Sequence, residues 1–519
     1  MWVYPEVRTL GEVTEYHARH NRNRVALIAE GRRVCFGEFD AIANRVANAL
    51  IARGVGQADR VSFFGKNSVD FYCALFGTAK TLGCFTPFNW RLSKLELAAL
   101  VRDSGTRVGI VEREFASVWA EATAAAGVTV DTILIDPAHT LEVEVRDFSS
   151  DPPDLLVSEE EGAIQLYTSG TTGRPKGVIL SHGGFNRMRL CEHLESAYEW
   201  HEGDSFINPL PNFHLLHIGI AIQCLYNGVS ITIVRQFDPA KVLAAIAAER
   251  PTLLTLTPTM LQMLLDHPDV AATDFSSLRL TLYAGSPISL GLIKHAVAVM
   301  PCRFMQFYGA TETGGAASLL RPEEHDLNDE QKLQSCGRPL PLIEFRIVDA
   351  AGLEQPDGQP GELLIRSPAI MRAYWQQAEA TRSCLSNGWY RSGDVARRDA
   401  AGLYYIVDRL KDMIVSGGEN IYSAEIENVL STHPSVALVA VIGVPDVRWG
   451  EAVKAIVIPR QNQPCTEEDL VRYCRERLAA YKVPKSIDFV DSFPLVPTGK
   501  VSKKDLRSRY WIGSNRSVA

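Results

Sequence analysis

The sequence predicts an α/β protein: a large N-terminal α/β domain with a small β subdomain, then a small C-terminal α+β domain. Three observations predict it. Helix-like and strand-like apolar patterns alternate along most of the chain, as parallel layers of strand and helix require. Around Ala350 the stretch "DAAGLEQPDGQPGELLIRSPAIM" becomes rich in Gly, Pro and Asp, with short strands between turns. From Ser423 a separate unit of helices and strands fills about a hundred residues, the size of a compact domain. A chain of 519 residues is too long for one core, so two or more domains are expected.

The elements follow in order. "FDAIANRVANALIARGV" from Phe39 carries apolar residues at helical spacing and ends on Gly54. "RVSFFG" from Arg60 reads as a buried strand, and "DFYCALFGTAKTLG" as the next helix. "GVSITIV" from Gly228 is a strand followed by the helix "PAKVLAAIAAER". "TLLTLTP" and "TMLQMLLDHP" repeat the strand–helix order. After Ser423 come helix "AEIENVLSTHP", strands "VALVAVIGV" and "AVKAIVIP", and helix "EEDLVRYCRERLAAY". The boundary is expected in "DRLKD", where a strand pattern ends in charge, giving domains 1–410 and 411–519. No short-period repeat or long low-complexity segment is evident.

Composition narrows the function. The chain is 46% hydrophobic and 22% charged, ordinary for a soluble globular protein. A net charge of -8 argues against nucleic acid as the main partner, while leaving room for a local basic phosphate site. The 10 cysteines form no C-x-x-C pair, so neither a zinc site nor a disulfide framework is suggested. Reduced thiols in the cytoplasm are the expectation. The N-terminus lacks a basic-then-apolar signal pattern, no apolar run is long enough to span a bilayer, and "NRSVA" is not a peroxisomal address.

One loop stands out. "YTSGTTGRPKG", Tyr167 to Gly177, follows the strand-like Ala163–Leu166. Its glycines allow amides to converge on one spot, its hydroxyls add donors, and Lys176 adds a positive charge. Such a set suits polyphosphate oxygens. It is not a Walker A loop, because no G-K-[ST] closes it. A surface turn is the alternative reading of a glycine-rich loop alone.

Ser169-Gly170-Thr171-Thr172-Gly173 with Pro175-Lys176-Gly177 closely resembles the phosphate loop of the adenylate-forming enzymes, which include acyl-CoA synthetases, aryl-CoA ligases, luciferases and adenylation domains. Four further stretches carry the resemblance: "QFYGATETGG" from Gln306, "YRSGD" from Tyr390, "DRLKDMIVSGGENIYSAEIE" from Asp408 and "VPTGKVSK" from Val496. They occur in the family's order and span nearly the whole chain. The look is closest to bacterial fatty-acyl-CoA ligases. The resemblance implies ATP and CoA as co-substrates, Mg²⁺ as cofactor, a carboxylic acid substrate, and a C-terminal domain that is mobile, rotating between two half-reactions.

It also implies roles. Lys500 would reach the acid and the α-phosphate during adenylation; a solvated lysine on a turn is the alternative. Glu312 would ligand Mg²⁺, which prefers hard oxygens beside phosphates. Thr311 would bond a phosphate. Thr168 and the loop residues would hold the nucleotide's phosphates, and Gly309 and Ala310 would lie beside it. Tyr308 would offer a face to adenine, or serve as a core aromatic. Gly285 and Ser286 in "YAGSP" resemble the adenine wall, with serine replacing the commoner alanine. Asp394 would accept the ribose hydroxyls and Arg409 would reach the same sugar. Lys411 falls at the hinge. Gly417, Gly418 and Glu419 match the tunnel for the thiol arm of CoA. No G-x-S-x-G elbow is found, in keeping with chemistry that needs no covalent protein intermediate.

"PNFHLLHIG" falls where the family places an aromatic–His motif near the acid. His214 matches that histidine; with His217 it could also be read as an H-x-x-H metal pair, but no third ligand supports this. Amino-acid-activating relatives carry aspartate at the His214 position, so an amino-acid substrate is not expected. Acetate-specific relatives carry tryptophan at the Gly309 position, so glycine implies a larger acid. His214, Phe307, Gly309 and Gly314 would line an apolar acyl pocket. Medium- or long-chain fatty acids are favoured, then aromatic or alicyclic acids. Loading of a carrier protein, luciferase-type oxygenation and a catalytically dead binder are the alternatives weighed. A homodimer is compatible with these patterns, which do not encode oligomeric state or acetylation of Lys500.

Overall fold

The computed structural model describes residues 4–168, 175–417, 419–460, 463–495 and 501–511. Among these residues the strands form four sheets. Two are largely parallel and belong to the N-terminal part. The first has seven strands, with Arg60–Phe64, Cys84–Pro87, Thr106–Glu112, Asp131–Ile135 and Gly162–Thr168 forming its parallel run. The second has nine, with Val25–Ala29, Ser230–Ile233, Ser205–Asn208, Leu253–Leu256, Leu280–Ala284 and Arg303–Ala310 forming its parallel run. Both add antiparallel edge strands.

Local chemistry accounts for the alternation. The helix Val69–Ala79 begins where Ser68 accepts the N–H of Phe71. Pro239–Glu249 and Pro258–Leu265 each start with proline, after Asp238 and Thr257 as capping residues. The strands between them are buried along their whole length at Arg60–Phe64, Leu253–Leu256 and Leu280–Ala284, as strands covered on both faces must be. Phe36, Phe39, Phe71, Tyr72 and Phe76 interlock in the largest core cluster.

The Gly/Pro-rich region around Ala350 folds as an antiparallel five-stranded sheet containing Glu344–Val348, Gly361–Arg366, Trp389–Arg398 and Tyr404–Arg409. The last sheet begins at Ile414–Ser416 and is built on the long hairpin Val436–Asp446 with Gly450–Pro459. It has its own core, including Ile414, Ile426, Leu430, Val441, Val457 and Leu470. The chain passes between these two sheets in four residues, 410–413.

Candidate active site

The parallel strands of the nine-stranded sheet end in a common region, the edge at which open α/β sheets receive ligands. In the strand Arg303–Ala310 the residues from Phe304 to Phe307 are buried, and the strand then opens at Tyr308 and Gly309. A tight turn, Thr311–Thr313, follows. The Thr313 hydroxyl accepts the Ala310 N–H at 3.0 Å and has the carbonyls of Ala310 and Gly315 each at 2.8 Å. This clamp fixes where Thr311, half-buried, and Glu312, buried, leave the backbone.

Glu312 is tied from two sides. Its Oε1 accepts the Tyr374 hydroxyl at 2.8 Å, and its backbone carbonyl accepts the N–H of Met371 at 2.8 Å. Burial first, and Glu312 second, push the phenols of Tyr374 and Tyr390 far above their ordinary range, so both stay protonated donors. The Lys176 ammonium lies 4.6 Å from the centre of the Tyr374 ring. Tyr374 was not anticipated: "RAYWQ" has no signal beyond ordinary aromatic content, and only the pairing of Ala373–Tyr374 with Lys176–Ser181 brings it in.

The glycine-rich loop joins antiparallel strands, not a strand and a helix. Thr168 pairs with Lys176 and Tyr167 with Gly177. Ser169, Gly170, Thr171, Thr172 and Gly173 lie outside the described residues. The base of the loop is held by the Trp375 N–H on the Gly177 carbonyl at 2.7 Å and the Gln377 amide on the Pro175 carbonyl at 3.1 Å.

On the facing sheet Asp394 accepts the Tyr308 hydroxyl at 2.6 Å. Asp394 and Arg409 are register partners on neighbouring strands, with Nε 3.8 Å from Oδ1. Ala284 pairs with Phe307, so Gly285 follows beside Tyr308; its φ of +96° suits glycine, and Ser286 next to it is half-buried. Tyr308, Gly285, Asp394 and Arg409, far apart in sequence, thus share one border.

His214 is the N-terminal boundary residue of the helix Leu215–Tyr226, its ring 4.5 Å from that of Phe213. His217 is fully buried, with Tyr72 at 3.0 Å on Nε2 and the Leu210 carbonyl at 2.7 Å on Nδ1. Burial lowers its pKa to about 3. It is a neutral core histidine, and the H-x-x-H metal reading ends there. No cluster of three potential metal ligands occurs among the described residues. Phe307 stacks on Tyr198, centroids 5.9 Å apart.

Two glycines carry packing roles beside the expected ones. A Cβ on Gly309 would stand 2.2 Å from the Gly315 carbonyl oxygen, so glycine here permits the irregular pairing between Arg303–Ala310 and Gly315–Leu320 as well as leaving space. Gly314 has φ +76°, and its missing side chain is directed at the Ala369 carbonyl, 2.0 Å away. The wall facing Met188 is that of Gly315, not Gly314.

In the C-terminal part Lys411 is exposed on the turn after Tyr404–Arg409. Gly417, φ +61°, turns the chain into Glu419–Ile421, and Trp449 would clash with any side chain there. Gly418 and Lys500 lie outside the described residues. Buried charge ties the start of this domain together: Asp408 accepts Ser423 through N and Oγ, Lys503 meets Glu427 at 2.7 Å, and Arg507 meets Asp412 at 2.8 Å.

The profile of the AMP-binding enzyme family matches residues 14–375, and that of the AMP-binding enzyme C-terminal domain matches residues 425–500. The chain is 38% identical over 517 residues to a fatty acid–[acyl-carrier-protein] ligase of Streptomyces coeruleorubidus, covering 99% of each. It is 37% identical over 502 residues to a feruloyl-CoA synthase of an Amycolatopsis species, covering 96% of this chain and 99% of the relative. A solved Mycobacterium tuberculosis fatty acyl CoA synthetase superposes with TM-score 0.78 at 34% identity, covering 99% of this chain and 100% of that one.

Proposed function

The chain belongs to the AMP-binding enzyme family, and on that premise we propose that it activates a medium- or long-chain fatty acid as acyl-AMP and passes the acyl group to the thiol of CoA. The first step releases pyrophosphate and the second AMP. The observation carrying this reading is the convergence of Glu312, Lys176, Tyr374, Tyr308 and Asp394 at the ends of the parallel strands.

A carboxylate is an anion with a poor leaving group, so it must meet an α-phosphate that is itself negative. Cations and fixed dipoles have to offset that repulsion. Lys500 is assigned this task. Lys176 and the loop 169–173, with Thr168 and Thr311, would hold the phosphates. The donor set fits Mg²⁺: Glu312 offers one carboxylate, with one oxygen fixed by Tyr374, and the nucleotide supplies further oxygens. Bound there, the ion would neutralise phosphate charge. Asp394 and Arg409 would hold the ribose, and Tyr308 with Gly285, Ser286 and Ala310 the adenine side. His214, Phe307, Gly309 and Gly315 would border the acid.

The domain join at 410/411, with Lys411 as hinge, is part of the same reading. So is the thiol path along Gly417, Gly418 and Glu419. A cytoplasmic location is supported by ten free cysteines and by the absence, among the described residues, of a helix long and apolar enough to cross a membrane. Likeness to a fatty acid–[acyl-carrier-protein] ligase across the whole chain favours one second reading, in which a carrier protein's thiol is the acceptor.

The test uses purified protein, ATP, Mg²⁺ and graded fatty acids beside cinnamates, benzoates and alicyclic acids, with CoA, with a phosphopantetheinylated carrier protein, or with neither. Mass spectrometry reads acyl-AMP, AMP and thioester. Acyl-CoA from fatty acids is the expected result. Acyl-AMP that passes only to the carrier supports the second reading, and no acyl-AMP from any acid overturns both.

A further inference from the structure

Resting on the nucleotide side of the ligase reading, this inference concerns what keeps Lys176 and Glu312 available to a ligand. Both charges meet one ring. The Lys176 ammonium lies 4.6 Å from the centre of the Tyr374 ring, and the hydroxyl of that ring donates to Glu312 Oε1 at 2.8 Å. Among the described residues no ion pair joins the two charges. Burial has the largest effect on the nearby Cys384 thiol, raising its pKa; Tyr374 and Lys176 lower it and Glu312 raises it, so all three groups stand about one point.

The ring is held where it is by its own strand. Ala373–Tyr374 runs antiparallel to Lys176–Ser181, with Tyr374 opposite Val178. Lys176 lies two residues from Val178 and so shares its face, the diagonal position that an aromatic side chain reaches across a strand pair. The Tyr374 N–H donates to Thr381 Oγ1 at 3.0 Å, and the Trp375 N–H to the Gly177 carbonyl at 2.7 Å. The Trp375 indole donates to the Asp103 carbonyl at 2.9 Å, and the Arg60 guanidinium lies 3.4 Å from the centre of its ring. On the other side the Met371 N–H holds the Glu312 carbonyl. Tyr374 is 4% exposed and Glu312 9%, so neither has room to swing.

Opposite charges in one partly buried region attract more strongly than they would in water. A pair formed between them would have to be broken by any ligand that needs the lysine for its phosphates and the carboxylate for its metal, and that cost is taken from binding. We propose that Tyr374 is a positioning residue that holds Lys176 and Glu312 apart, its ring face carrying the ammonium and its hydroxyl the carboxylate, so that a triphosphate and its Mg²⁺ meet both charges unpaired. The two contacts are separable. Phenylalanine keeps the ring face and loses the hydroxyl; leucine loses both.

The test measures ATP binding to the purified full chain by titration calorimetry, once with Mg²⁺ and once with EDTA. The ratio of the two dissociation constants reports what the metal adds. Tyr374→Phe should leave metal-free binding unchanged and shrink the metal's contribution roughly fivefold or more, the worth of one hydrogen bond. Tyr374→Leu should weaken metal-free binding as well, by a similar factor, because Lys176 and Glu312 then close on each other. Lys176→Gln should therefore cost the leucine variant much less metal-free affinity than it costs the unaltered chain. Thermal melting establishes that each variant is folded, and Tyr374→Met replaces the leucine variant if that one does not fold. An unchanged metal contribution in folded Tyr374→Phe, or additive losses from Lys176→Gln and Tyr374→Leu, overturns the proposal. Acyl-AMP formation, read by mass spectrometry on the same proteins, tests the ligase reading separately. No acyl-AMP from any acid, with the binding shifts present, removes that reading and keeps the spacing role; no ATP binding by the unaltered chain removes both.

Discussion

Tyr308 donates its phenolic hydrogen to Asp394 over 2.6 Å, joining the end of a parallel strand in the nine-stranded sheet to the antiparallel five-stranded sheet. Asp394 also faces Arg409 across one strand pair. The fold itself therefore positions the carboxylate, and in the proposed reading it would meet a ribose without rearrangement.

Replacing it should be costly in binding. Asp394→Ala removes a charged acceptor of two hydroxyls, and hydrogen bonds to charged groups contribute about 1.5–3 kcal/mol. KM for ATP should rise roughly ten- to hundredfold. Tyr308→Phe removes only the positioning bond, about 1 kcal/mol, and should raise KM about fivefold. ATP titrations of pyrophosphate release at saturating acid distinguish them; equal, slight effects would remove Asp394 from the nucleotide site.

Lys500→Ala addresses the chemistry itself. If, as proposed, Lys500 supplies charge to the α-phosphate, its loss should lower adenylation by about 10²–10³ or more, as for other electrostatic catalytic groups. Thioester formation from supplied acyl-AMP should largely survive. Equal loss of both half-reactions would refute the role.

Much of this was legible in the sequence, for physical reasons. The alternation of strand and helix follows from apolar periodicity and from caps such as Ser68 and Thr257, which act locally. The motif residues could be named because short contiguous stretches resemble those of the adenylate-forming enzymes. Contacts between distant segments were not legible. Tyr374 reaches Glu312 only because its strand pairs across Lys176–Ser181. His217 lacked a third metal ligand in the sequence, but only the fold shows what holds it instead, the Tyr72 hydroxyl and the Leu210 carbonyl. Gly314 and Gly315 cannot be ranked from sequence, since the direction each would present depends on φ.

Gly309 tests packing against pocket volume. A single added methyl would meet the Gly315 carbonyl at 2.2 Å, a backbone atom that cannot swing away. Gly309→Ala should destabilise the N-terminal part by about 1–3 kcal/mol through overpacking. It should also slow activation of every acid, long or short. Thermal melting and an acid-length series read the two effects. An alanine variant that melts normally and loses only long acids would make Gly309 a matter of pocket size alone.

Lys411→Pro tests the hinge. Proline fixes φ near −65°, so a residue that must adopt two backbone states keeps one. Adenylation and thioester formation, assayed separately, should fall unequally, by tenfold or more in one of them. Small, uniform losses would place the pivot elsewhere.

The join also has a pH signature. Burial pushes the Asp412 carboxyl up, but Lys503 and Arg507 outweigh burial and hold it below its ordinary range. A depressed carboxyl contributes stability that is present above its unfolded pKa, about 3.9, and is lost as pH falls through the lower folded value. Removing one partner of a buried pair costs about 3 kcal/mol or more, so Asp412→Asn should melt clearly earlier than the unaltered chain at neutral pH. The gap should close progressively below about pH 4, because the protonated aspartate has lost its charge as well. Glu427, lifted by burial despite Lys503, works in the opposite sense and cannot reproduce this trend. Melting curves of both proteins between neutral pH and pH 3 decide it, and a gap that stays constant with pH would show that Asp412 contributes shape and not charge.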